Sequence, residues 1–141
     1  MPDIVMACNI DAAASTVFRA ISTSEGVRGW FTAKADIGEG VGAVHRLTFP
    51  EMPAPWELRV DEEESPSRLR LSVLVGPPQW EGTSMTYEIV DRPEGGVVVN
   101  FDHVGFATVD GVRHWTIGWA TKMLALKKYA VTGEPDPFFG F

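Results

Sequence analysis

Two of the chain's three histidines sit in alternating apolar rows, and histidine is the side chain whose ordinary pKa lies nearest neutrality. Val97, Val99, Phe101 and His103 share one face of a candidate strand, which turns His103 toward the interior rim. His45 shares a face with Leu47 and Phe49 in the same way. Two inward imidazoles could position a polar ligand group or serve as acid and base near neutral pH. The competing reading is structural, with each ring donating to a backbone carbonyl or a buried water. His114 falls at an outward helical angle and is expected at the surface.

No nucleophile accompanies them. Serine and threonine fall mainly at turns, no Gly-x-Ser-x-Gly elbow occurs, and Asp102 projects to the sheet face opposite His103. No catalytic residue is therefore assigned. Cys8 lies in the inward row Ile4, Met6, Cys8, Ile10 with nothing electropositive beside it, the setting of a buried structural thiol. The run Asp61-Glu62-Glu63-Glu64 offers charge, but no histidine or second carboxylate cluster is spaced to close a coordination sphere. It reads as a solvated strand end, and neither metal nor cofactor is expected. Gly38, Gly40 and Gly42 lack the Lys-Ser/Thr pair of a phosphate loop and read as a hairpin turn.

What stands out is aromatic. Trp30, Phe31, Trp56, Trp80, Phe101, Trp115 and Trp119 exceed what packing in a chain of this size requires. Met85, Tyr87 and Ile89 on a neighbouring strand and Met123 on a helix would complete an apolar wall with few polar groups, the character of a small-molecule pocket. The expectation is a cavity for a small hydrophobic ligand, with His103 or Tyr87 anchoring its polar end. The alternative is a filled core.

These residues need elements to hold them. Trp115, Trp119, Met123, Leu126 and Ala130 recur at helical spacing and predict a helix over residues 111–131, capped by Asp110 and ended by Gly133. A second stripe of Ile117, Ala120, Leu124 and Val131 lies on the other side, with Lys122, Lys127 and Lys128 keeping the rest wet. That stripe needs a cover, from short N-terminal helices, the tail at Pro137-Phe138-Phe139, or a second subunit. A first strand with its even positions inward precedes a helix over 13–22. A second short helix follows, ending near Trp30, with Ser22 and Glu25 spaced as a capping box. Strand-like runs at 34–37, 43–49, 56–62, 69–75, 83–91 and 97–103 are separated by prolines, the pattern of an antiparallel meander.

Composition narrows the setting. A chain of 141 residues, 45% hydrophobic, matches a single domain over 1–141. Nineteen acidic against twelve basic residues give a formal charge of -7, which opposes nucleic acid and anionic membrane surfaces. One cysteine and no charged-then-apolar leader point to a reducing cytoplasm, and no apolar run approaches a membrane span.

The order strand, two short helices, meander, long helix is that of the helix-grip fold. Val17-Phe18-Arg19-Ala20-Ile21, Glu25-Gly26-Val27-Arg28-Gly29-Trp30-Phe31, Trp80-Glu81-Gly82-Thr83, Phe101-Asp102-His103-Val104-Gly105 and Gly118-Trp119 through Lys128-Tyr129 resemble recurrent motifs of the SRPBCC (START-related, birch-pollen-allergen-like) superfamily. Within it they resemble the branch named for the activator of the ninety-kilodalton heat-shock protein ATPase. The resemblance implies an α+β fold, a curved antiparallel sheet of about six or seven strands around the C-terminal helix. It also implies a deep cavity used across the superfamily for lipids, sterols and polyketides. A cyclase- or aromatase-like enzyme and a chaperone-linked interaction module remain rival functions, and both monomer and homodimer remain open.

Overall fold

The computed structural model describes residues 2–140. Its elements run β1 (Ile4–Ile10), α1 (Ala14–Ser22), α2 (Ser24–Trp30), β2 (Lys34–Ile37), β3 (Val44–Thr48), β4 (Trp56–Glu64), β5 (Arg68–Val75), a 3-10 turn (Pro78–Trp80), β6 (Ser84–Asp91), β7 (Val97–Val104) and α3 (Val109–Thr132). Seven antiparallel strands form one sheet in the order β1-β7-β6-β5-β4-β3-β2. Helices α1 and α2 carry the chain from β1 at one edge to β2 at the other, and the meander returns strand by strand until β7 pairs with β1. Register shifts between Glu57/Leu58 and Val60/Glu62 interrupt the β4–β5 ladder, where bulges bend a sheet. The curled sheet closes over α3 in the expected α+β helix-grip arrangement.

Alternation within the strands sorts the side chains as expected. On β7, Val97, Val99, Phe101 and His103 are buried, while Asn100 and Asp102 face outward. Cys8 is half-buried, and burial pushes its thiol pKa up. The acidic run is a strand end held by local bonds, with Arg59 donating to Asp61 and Arg68 to Glu62, and no metal-ligating cluster occurs among the described residues. Among the described residues no helix is long and apolar enough to cross a membrane.

The helix ends differ from expectation in detail. The hydroxyl of Thr108, not Asp110, accepts from Gly111 N at 3.4 Å, so α3 begins earlier and Asp110 falls in its first turn. Thr23 likewise caps α2 by accepting from Gly26 N at 3.0 Å, because Ser22 is still the last residue of α1, its hydroxyl donating back to Phe18 O. Gly133 ends α3 in the left-handed conformation, as expected. Gly29 is there for proximity: a Cβ on it would run into the Tyr129 ring, so only glycine lets α2 approach α3 at that point.

Two expectations for α3 fail. Lys122 is not on the wet side; it is 2% exposed. The second stripe is not covered by the described residues, since Ile117, Leu124 and Val131 are 73%, 63% and 52% exposed. The tail, the expected cover, lies elsewhere. Asp136 N bonds to Gly29 O, Phe138 N to Trp30 O, Phe139 N to Phe31 O, and Ala33 N to Phe139 O, all at 2.9–3.0 Å. Residues 136–139 thus form a strap along the end of α2, and α1 and α2 occupy the inner side. Of the tail's three phenylalanines, Phe141 lies outside the described residues.

Candidate functional site

The sequence-derived aromatic set converges in space. Trp30 and Phe31 arrive at the end of α2, Trp56 starts β4, Trp80 closes the 3-10 turn, and Phe101 lies on β7 opposite Tyr87 of β6. Trp119 from α3 joins them: its ring lies 4.4 Å from Phe101, 5.8 Å from Phe31 and 5.8 Å from Trp80, the last nearly parallel at 13°. Trp80 continues the cluster to Trp56 at 4.8 Å and Trp115 at 5.2 Å, and Tyr87 meets Phe101 at 5.0 Å. Met85 pairs across the ladder with His103, and Met123 follows Trp119 by one helical turn; both are buried. All but half-buried Trp115 are shielded from solvent.

The rings therefore pack on one another between sheet and helix. A cleft of about 520 Å³ opens at the rim, between the 3-10 turn with Glu81 and Gly82 on one side and Phe106 to Gly111 on the other. Trp115 Nε1 donates to Gln79 Oε1 at 2.8 Å beside it, and Phe106 separates it from His103, whose ring lies 4.4 Å away.

His103 is fully buried rather than at the rim. Trp119 Nε1, which can only donate, lies 3.0 Å from His103 Nδ1, so Nδ1 is the acceptor. Nε2 then carries the proton and donates to the Thr83 hydroxyl at 2.8 Å, and Thr83 in turn donates to Trp80 O at 2.6 Å. The directions agree from end to end, and the imidazole is neutral. Burial first, and the charge of Lys122 second, lower its pKa to about 3. Both ring nitrogens are occupied, so His103 has no capacity left for proton transfer to a substrate in this arrangement.

The other interior polar groups are less well served. His45 Nε2 and Trp80 Nε1 are buried without hydrogen-bond partners among the described residues, and burial lowers the His45 pKa to about 4. Burial raises the Tyr87 hydroxyl above its ordinary range. His114 is exposed, as expected.

Residue-type reasoning missed Lys122. Its Nζ lies 4.9 Å from the Trp119 ring centroid, 5.3 Å from Phe31, 5.4 Å from Phe138 and 5.8 Å from Phe139. Burial lowers its pKa to about 8. The signal was in the spacing: position 122 follows Trp115 by seven and precedes Leu126 by four, which puts it on the inward stripe. Phe49, already on the inward face of His45 by alternation, also belongs to the cluster, its ring 4.2 Å from Trp56, and so do Thr83 and Phe106, of which Phe106 had no distinguishing pattern.

Comparison with known families decides the lineage. The sequence profile of the activator of Hsp90 ATPase homolog 1-like proteins matches residues 11–130. The chain belongs to that family. Its fold places it in the SRPBCC superfamily, as the motifs implied. Among solved structures, this family member is similar to the Aha1 dimer from Colwellia psychrerythraea, with 21% identity over 94% of this chain and 98% of that one at TM-score 0.84. A protein from Staphylococcus saprophyticus matches at 20% identity over 98% of both chains, TM-score 0.80. DynU16, from the dynemicin biosynthetic locus, matches at 20% identity over 99% of this chain and 51% of its own, TM-score 0.81. No curated protein sequence matches. At these identities the structural likeness shows the fold alone.

Proposed function

We propose that this domain binds a small hydrophobic molecule between the sheet and α3, among Trp30, Phe31, Trp56, Trp80, Met85, Tyr87, Phe101, Trp115, Trp119 and Met123. The observation that carries the reading is the Trp80 indole N–H, buried within the aromatic cluster with no acceptor among the described residues. An unpartnered buried donor costs on the order of 1–3 kcal/mol, a cost that a core built only for stability has no reason to retain. A ligand that brings an acceptor and displaces part of the ring packing removes it. The rim cleft beside Phe106 supplies the route of entry. An acid–base reaction of the cyclase kind is less well supported, because His103 is committed to Trp119 and Thr83. Native mass spectrometry of the freshly purified protein tests the reading: a co-purified apolar molecule is expected, and a chain that neither carries one nor takes up an apolar probe would sink it.

The outer face of α3 supports a second property, self-association. Ile117, Leu124 and Val131 stand seven residues apart along one exposed line, and the Colwellia relative was solved as a dimer. A homodimer through this face would cover the stripe that the described residues leave exposed.

A further inference from the structure

Resting on that ligand-binding reading, we propose that Lys122 is the anchor for the carboxylate of an apolar acid, held in the aromatic enclosure beneath the C-terminal strap. The ammonium group is enclosed by two rings of the body, Phe31 and Trp119, and two of the strap, Phe138 and Phe139. Among the described residues no hydrogen bond or ion pair reaches it, although 98% of the residue's surface is withdrawn from water, its exposure being 2%. Aromatic faces return part of the lost hydration, but each is a weak partner compared with a carboxylate.

A buried cation of this kind contributes nothing to packing that methionine or leucine would not supply at lower cost, since taking an ammonium group out of water costs several kcal/mol. The retained charge therefore points outside the core's own needs. His103, the titratable group that feels its charge, is neutral and fully engaged. Trp80, stacked on the same Trp119 ring, adds a second donor without an acceptor. Two donors, one of them cationic, in a cluster of apolar rings call for a ligand with a negatively charged acceptor on an apolar body. A sterol or a neutral alcohol answers only half of that description.

The strap is the element that can yield to such a ligand. Residues 136–139 are held by main-chain bonds to residues 29–33 and by the exposed Lys128–Asp136 pair at 3.0 Å, and Phe138 remains 40% exposed. Displacing the Phe138 and Phe139 rings opens Lys122 without disturbing sheet or helix.

The test is a comparison of decanoate with decanol, probes of one chain length that differ in the charged end, followed by tryptophan fluorescence on the full chain. Decanoate is expected to bind at least tenfold more tightly. In Lys122→Met the preference should vanish while decanol binding is retained; in Lys127→Met, an exposed lysine of the same helix, it should persist. Lys122→Gln repeats the comparison should the methionine variant fold poorly, and the acid–alcohol comparison on the native chain stands without either. Equal binding of the two probes, or a preference that survives at position 122, overturns the anchor and leaves hydrophobic binding in place. Binding of neither overturns the ligand reading itself, and the anchor with it.

Discussion

Trp119 of α3 donates its indole N–H to Nδ1 of His103 on β7 at 3.0 Å, joining helix and sheet by a side-chain hydrogen bond in the fully buried interior. Because Trp119 also packs on Phe31, Trp80 and Phe101, it couples ring packing to the polarity of the site. Trp119→Ala removes a large buried aromatic and leaves His103 Nδ1 without its donor. A loss of about 3–5 kcal/mol is expected in denaturant titration. Trp119→Phe keeps one ring but removes the bond and part of the buried indole, and the unpartnered Nδ1 accounts for about 1–3 kcal/mol of its loss. A loss below about 1 kcal/mol for the alanine variant would refute this role for the helix stripe.

The two buried histidines set an acid limit on stability. Their ordinary value is 6.5, and in the folded chain burial holds His45 at about 4 and His103 at about 3. Below pH 6.5 the unfolded chain takes up protons that the folded chain refuses. Stability should be full above that pH and fall as pH drops toward 4 and then 3, by up to about 3 kcal/mol for His45 and about 5 kcal/mol for His103 at 1.36 kcal/mol per pKa unit. Urea midpoints from pH 7 to 4 measure this. His45→Leu removes one titrating group with no hydrogen bond to lose, and should flatten the dependence; an unchanged slope would exclude His45 as a source.

The fold was readable because alternation in strands and period in helices report burial directly. β2 was placed to the residue, and Trp119, Met123, Leu126 and Ala130 fell on the inward stripe as expected. Lys122 was not read because residue type outweighed position: lysine is rarely buried, although its spacing to Trp115 and Leu126 was that of the stripe. The caps were misplaced because neighbouring polar residues competed for one role, Thr108 over Asp110 and Thr23 over Ser22. The partners of His103 were beyond reach for another reason. Thr83 lies twenty residues away in sequence, and only the β6–β7 pairing brings it near.

The exposed line of Ile117, Leu124 and Val131 predicts concentration-dependent dimerisation through α3. Sedimentation equilibrium should detect it, and Leu124→Glu should give a monomer at every concentration, since a charge opposite its own copy at a two-fold interface is repelled. A chain ending at Pro137 should still dimerise, because the strap docks on residues 29–33 away from this face. If that truncation dissociates the dimer while Leu124→Glu does not, the tail is the interface instead.

Lys122 gives stability an alkaline dependence of opposite sense to a surface lysine's. Burial places its folded pKa at about 8 against an ordinary 10.5. Below pH 8 the amine is protonated in both states, and the folded state bears the full cost of the buried charge. Between 8 and 10.5 the folded amine loses its proton while the unfolded one keeps it, so the unfolded chain binds more protons and stability rises with pH, by up to about 3 kcal/mol across the window. Other lysines and tyrosines titrate at the upper end, so the quantity to measure is the difference in unfolding free energy between the native chain and Lys122→Met at each pH. The variant should be the more stable at pH 7, having no charge to desolvate, and the difference should shrink steadily toward pH 10.5. A difference that stays constant across that range would show that the amine is hydrated in the folded state, and the aromatic enclosure drawn around it would then be wrong.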